Sequence, residues 1–102
     1  MFLLKGQDVR LDLKEHVDPE MVSVVSWRCN NSAIYFYSSK GSFSEKYKNN
    51  VNISEGNFSL LIKNLQEADS GSYSVRVIRK GAGNIEASYL IMVQGWFVLT
   101  SL

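Results

Sequence analysis

Cysteine is almost missing from this sequence: 102 residues contain one, Cys29. A single thiol excludes an internal disulfide and any cysteine-rich zinc site. Histidine and proline also occur once each, as His16 and Pro19, both inside the polar stretch 15–21. With no gathering of metal-ligand residue types about it, His16 reads as a solvated loop side chain. Neither sign of charge is in excess. Eleven Lys and Arg stand against ten Asp and Glu, interleaved along the chain, so nothing directs the protein to nucleic acid or to an anionic membrane surface. Long apolar runs are lacking too. Residues 89–102 come nearest, but Gln94 and Gly95 break them, and the run is too short to span a bilayer. The opening residues 1–6 are too short for a secretory leader and have no cleavage pattern. Catalytic parts are missing as well. No nucleophile is paired with a histidine and no acid–base pair is suggested, so neither an enzyme nor a cofactor or small-molecule substrate is expected.

What the sequence does have is alternation. Hydrophobic residues make up 45% and charged residues 21%, which suits one domain with a single core. In residues 9–14, Val9, Leu11 and Leu13 alternate with Arg10, Asp12 and Lys14, the pattern of a half-buried strand. Phe58, Leu60 and Ile62 repeat it, then Tyr73, Val75 and Val77, then Ala87, Tyr89, Ile91 and Val93. Residues 22–29 carry Trp27 and, in phase with it, Cys29, a thiol expected to be buried and inert. Shorter candidates lie at 2–4, 34–38 and 51–54, with a weak edge strand or irregular arm over 43–50. Gly81, Ala82 and Gly83 make a hairpin tip after the basic pair Arg79 and Lys80. About nine short strands and no helical period predict an all-β sandwich.

The segment Glu67, Ala68, Asp69, Ser70, Gly71, Ser72, Tyr73 resembles the tyrosine corner of immunoglobulin domains, in which a buried Tyr hydroxyl bonds back to the backbone upstream. The resemblance puts Leu13 and Val75 where such domains carry their two disulfide cysteines. It puts Trp27, fourteen residues after Leu13, where they carry the core tryptophan. Leu13, Trp27, Tyr73 and Val75 are then the expected centre of the core, with apolar contact standing in for the bridge. Burying two aliphatic side chains, at roughly 1.5–3 kcal/mol each, offsets much of the about 2–5 kcal/mol that losing such a bridge costs. The arginine that often pairs with the corner aspartate is replaced by Asn50, which leaves Asp69 to backbone donors. The long interval from Trp27 to Val51, with its added aromatic strand, favours the variable type of about nine strands. Both cysteines are lost together while the tryptophan and the corner are kept. With the strand at 6–13 and the basic arm from Arg79, this makes residues 2–94 similar to the membrane-distal V-type domain of the signalling lymphocyte activation molecule (SLAM) family. The expected organisation is a V-type immunoglobulin-like domain over 1–95, without an intradomain disulfide, and an apolar tail of unassigned role over 96–102.

That resemblance implies the extracellular portion of an immune-cell surface receptor. Its partner would be a protein, the same molecule or a related immunoglobulin-family receptor on an opposing cell, met through the sheet of strands C, C′, F and G. Carried onto this sequence, the outward residues of that sheet are Arg28, Tyr35, Tyr37, Ser74, Arg76, Ile78, Glu86, Ser88 and Leu90. Tyrosine and arginine are the types favoured where binding energy concentrates, and charges of both signs suit the selection of register. Glycosylation sequons begin at Asn30, Asn52 and Asn57. The last two are expected on the far side from that sheet, and Asn30 nearer to it. Two other readings fit the same residues: the V-type domain of another immune receptor group, and an intracellular structural immunoglobulin domain, which is also free of disulfides.

Overall fold

The computed structural model describes residues 2–47, 49–54 and 56–95, and within them nine strands form two sheets. The strands are β1 (Phe2–Leu4), β2 (Val9–Leu11), β3 (Val22–Cys29), β4 (Ser32–Tyr37), β5 (Gly41–Phe43), β6 (Val51–Ile53), β7 (Leu60–Ile62), β8 (Gly71–Arg79) and β9 (Ile85–Gln94). Single 3-10 turns sit at Pro19–Met21 and Glu67–Asp69. One sheet runs β1-β9-β8-β3-β4-β5 and the other β2-β7-β6. All pairings are antiparallel except β1 with β9, which is parallel. This is a variable-type immunoglobulin sandwich, as the sequence predicts. The residues proposed as its C-terminal tail, 96–102, lie outside the described residues.

Alternation becomes layering. Val9 and Leu11 of β2, Val51 of β6 and Leu60 and Ile62 of β7 face across to Val25 and Trp27 of β3, Tyr73, Val75 and Val77 of β8, and Ile91 and Val93 of β9, all buried. Trp27 is wholly buried, and its indole N–H donates to the carbonyl of Phe58 at 3.0 Å. Phe58 holds a φ of 57°, a costly conformation for a bulky residue, so this bond from the opposite sheet secures a strained position. For that reason the strand opens at Leu60 rather than at Phe58, although Phe58 is still buried. The corner forms as predicted: Tyr73 is buried and its hydroxyl donates to the Asp69 carbonyl at 2.5 Å. Asp69 in turn accepts from the backbone N–H of Gln66 at 2.8 Å. Cys29 is buried and free, again as predicted. Burial first, and then a hydrogen bond with Cys29, pushes the Tyr73 hydroxyl far above the ordinary tyrosine range.

Leu13 departs from expectation. β2 ends at Leu11, and Leu13 packs half-buried against the margin of the core rather than inside it. Asp12 explains the exit. Its carboxylate accepts from the Ser59 hydroxyl at 2.6 Å and from Arg10 at 2.8 Å, and its carbonyl accepts from the Tyr89 hydroxyl. These bonds draw the chain off the ladder one residue before Leu13. Trp27 stacks instead on Tyr89, with ring centroids 6.0 Å apart, while Val75 stands directly beside it in register on β8.

Candidate functional site

β3, β8 and β9 lie side by side in the middle of the larger sheet, and their register lines up the side chains that leave the core. Arg28, Ser74 and Ser88 form one row, and Ser26, Arg76 and Glu86 the next. Val24 and Ile78 form a third, and Ser72 stands beside Leu90. Because three of the six side chains in the middle rows are serine, the surface dips. The result is an open concavity of about 490 Å³, bordered by Arg28, Phe36, Arg76, Ile78 and Glu86. Seven of the nine expected residues thus share one outer face: Arg28, Ser74, Arg76, Ile78, Glu86, Ser88 and Leu90.

Tyr35 and Tyr37 do not. Both turn toward the core: Tyr35 is 7% exposed, and the ring of Tyr37 packs on Phe58 at 5.2 Å. The cause is a bulge between β3 and β4. Arg28 pairs with Ala33 but Trp27 pairs with Tyr35, so Ile34 is an extra residue, and it too is buried. Without it, counting onward from Ala33 would point Tyr35 and Tyr37 outward. One added residue reverses every side chain that follows. Phe36 takes the outward place beside Ser26 and is 48% exposed. Sequence reasoning missed Phe36, because four consecutive apolar residues, Ile34 to Tyr37, carry no alternation from which to choose a face. It also missed Val24 and Ser26, whose positions follow simply from Trp27 facing in.

The face carries little charge, and the charge is uneven. Arg76 donates through Nε to Glu86 Oε1 at 2.7 Å, with both side chains more than half exposed. An exposed pair of this kind contributes about 0–1 kcal/mol. Among the described residues Arg28 has no acidic partner, so two arginines against one glutamate leave the face one positive charge in excess. No three His, Cys, Asp or Glu side chains among the described residues come together as a metal-binding group. Among them, too, no helix is long and apolar enough to cross a membrane.

The three sequons are separated by the fold. Asn52 is exposed on β6, in the smaller sheet, and borders a lesser concavity of about 200 Å³. Asn57 lies in the turn before β7 and accepts from the N–H of Ser59 at 3.1 Å. Asn30 follows β3 in a left-handed turn, φ 49°, and accepts from the N–H of Ser72 at 3.0 Å.

The immunoglobulin V-set domain model matches residues 3–94. This chain belongs to the V-set family. No curated protein sequence matches it. Among solved structures, the V-set domain is similar to the first immunoglobulin-like domain of human CD48. Their TM-score is 0.85 at 23% identity, over all of this chain and 86% of that one. It is similar also to the SLAM-family protein CD84, with a TM-score of 0.77 at 13% identity over 93% and 95% of the two chains. The CD2-binding domain of CD58 gives 0.70 at 17%, over 91% of this chain and 52% of that one. At these identities the likeness is one of fold.

Proposed function

We propose that this V-set domain is an extracellular recognition and adhesion module of an immune-cell surface receptor of the SLAM-like group. It holds an immunoglobulin-family receptor on an opposing cell through the outer face of β3, β4, β8 and β9. The observation that carries this reading is the concavity on that face, where an exposed aromatic side chain and an unopposed arginine border a floor of serines. Exposed aromatics and arginines are the usual anchors of a protein contact, and small polar side chains around them let a partner approach closely. The CD2-binding domain of CD58, built on the same fold, gives the reading a precedent among neighbours. Of the two expected partners, the same molecule or a related receptor, Arg28 favours a related receptor that offers a carboxylate. Glycans at Asn52 and Asn57 would lie on the side of the smaller sheet and leave this face open.

Cells displaying the domain on a generic anchor test the proposal against cells that display V-set receptors of the same organism. Phe36→Asp, Arg28→Glu and Arg76→Glu are expected to abolish cell–cell binding while leaving the melting temperature within a few degrees of the parent. Binding that survives all three, or that is lost instead with Leu61→Arg on the smaller sheet, would remove the face from consideration.

A further inference from the structure

We propose that a second copy of this chain docks, side by side, on the apolar margin of the larger sheet where β1 meets the end of β9. This contact shares only Leu90 with the face proposed above and survives that proposal's failure. Parallel pairing sets Phe2 beside Met92 and Leu4 beside Gln94. Ile91 and Val93 point into the core, so Leu90 and Met92 point out. Phe2, Leu90, Met92 and Leu4 are 74%, 61%, 41% and 38% exposed, an apolar patch on the order of 400 Å², within the range of about 300–600 Å² of a monomer's largest patch, which is often functional.

Charge decides the occupant. Across a two-fold axis a surface meets itself. The patch has no charged member, and its outward neighbours on β8 and β9 are Ser72 and Gln94, so it can meet itself without repulsion. The centre of the sheet is less suited, because two copies would set four arginines against two glutamates, an excess of two positive charges. The route by strand addition is closed at Leu4. Its N–H points away from β9 and is held by Gln7 Oε1 at 2.8 Å, so that position offers an incoming strand no donor. What is left is face packing. Two patches bury about 800 Å², less than the roughly 1,200 Å² of stable interfaces, so the dimer is weak and reversible.

Sedimentation velocity of the full chain, from micromolar to millimolar concentration, tests this. The parent is expected to shift toward dimer as concentration rises. The double variant Phe2→Ser/Met92→Lys should weaken self-association at least about tenfold, and Arg28→Glu should leave it unchanged, since the lysine lies in the patch and the glutamate outside it. A parent that stays monomeric throughout overturns the proposal. So does self-association lost with Arg28→Glu but kept by Met92→Lys, which would move the second copy to the centre of the sheet and leave the recognition face standing. If the parent is monomeric and Met92→Lys lowers its melting temperature, the patch is covered within the chain itself, which also overturns it.

Discussion

Replacing Tyr73 by Phe removes one oxygen atom and keeps the buried ring, so its effect reports the hydroxyl's bonds, to the corner carbonyl first and to Cys29. The hydroxyl donates to the Asp69 carbonyl at 2.5 Å from a side chain that is 1% exposed. A bond of this kind contributes about 0.5–1.5 kcal/mol net, and a buried carbonyl left unpaired costs about 1–3 kcal/mol. Asp69 is half-buried, so water restores part of that carbonyl's partnership, and about 1.5–2.5 kcal/mol is expected for Tyr73→Phe. Tyr89→Phe is the internal comparison. It too removes a hydroxyl bonded to a backbone carbonyl, but Tyr89 is half-buried and Asp12 is exposed, so the carbonyl regains water and the cost falls to about 0.5–1 kcal/mol. Urea unfolding followed by far-ultraviolet circular dichroism measures both, with unchanged slopes showing that the unfolded state is not altered. For a domain of this size the Tyr73 variant should melt roughly 6–20 °C below the parent. Equal losses, or a larger one for Tyr89→Phe, would refute the argument that burial of the acceptor sets the cost.

Alkali should unfold the domain early. Burial holds the Tyr73 hydroxyl above the ordinary tyrosine value of 10.0, and Tyr47 and Tyr89 are raised for the same first cause. The folded state therefore keeps protons that the unfolded chain gives up. These tyrosines add no pH dependence below about pH 10, above which stability falls by up to about 1.4 kcal/mol per pH unit for each such group, and Tyr73→Phe should flatten the decline seen in pH-dependent melts. On the acid side, the hydrogen bond from Ser59 does most to lower the Asp12 pKa below 3.8, so its stabilisation is present above that value and disappears as pH falls through the lowered one. Ser59→Ala should cost about 1 kcal/mol near neutrality, with the gap to the parent closing below about pH 4. A Cβ at Gly71 would stand 2.6 Å from the Asn30 amide nitrogen, at a φ of 155° that side chains rarely adopt. Gly71→Ala should cost about 1–3 kcal/mol, and adding Asn30→Ala should recover the clash but not the backbone strain.

The sandwich was legible wherever one face of a strand is wet. Tyr73, Val75 and Val77 alternate with Ser74 and Arg76, and a pattern of period two has one reading. β3 was found at its observed limits, and the corner announced itself through Asp69, Gly71 and Tyr73. The outer face was legible along β8 and β9 for the same reason. It was not legible on β4, because Ile34, Tyr35, Phe36 and Tyr37 are all apolar, and the phase is set by a bulge against Trp27 that belongs to the pairing of two strands rather than to either one. Leu13 escaped for a related reason. Its own alternation with Arg10 and Asp12 is clean, but the bonds that pull Asp12 off the ladder come from Ser59 and Tyr89, far along the chain. Sequence patterns report what a strand prefers alone, and both errors fall where distant partners overrule it.

Cys29 lies closed in at the end of β3, 5% exposed and with no cysteine partner. Reaching the folded state therefore waits on no oxidant, and the domain assembles in reducing and oxidising surroundings alike. The same concealment makes the thiol a clock. A labelling reagent can reach it only when the two layers part, so the pace of its modification times how often this sandwich opens.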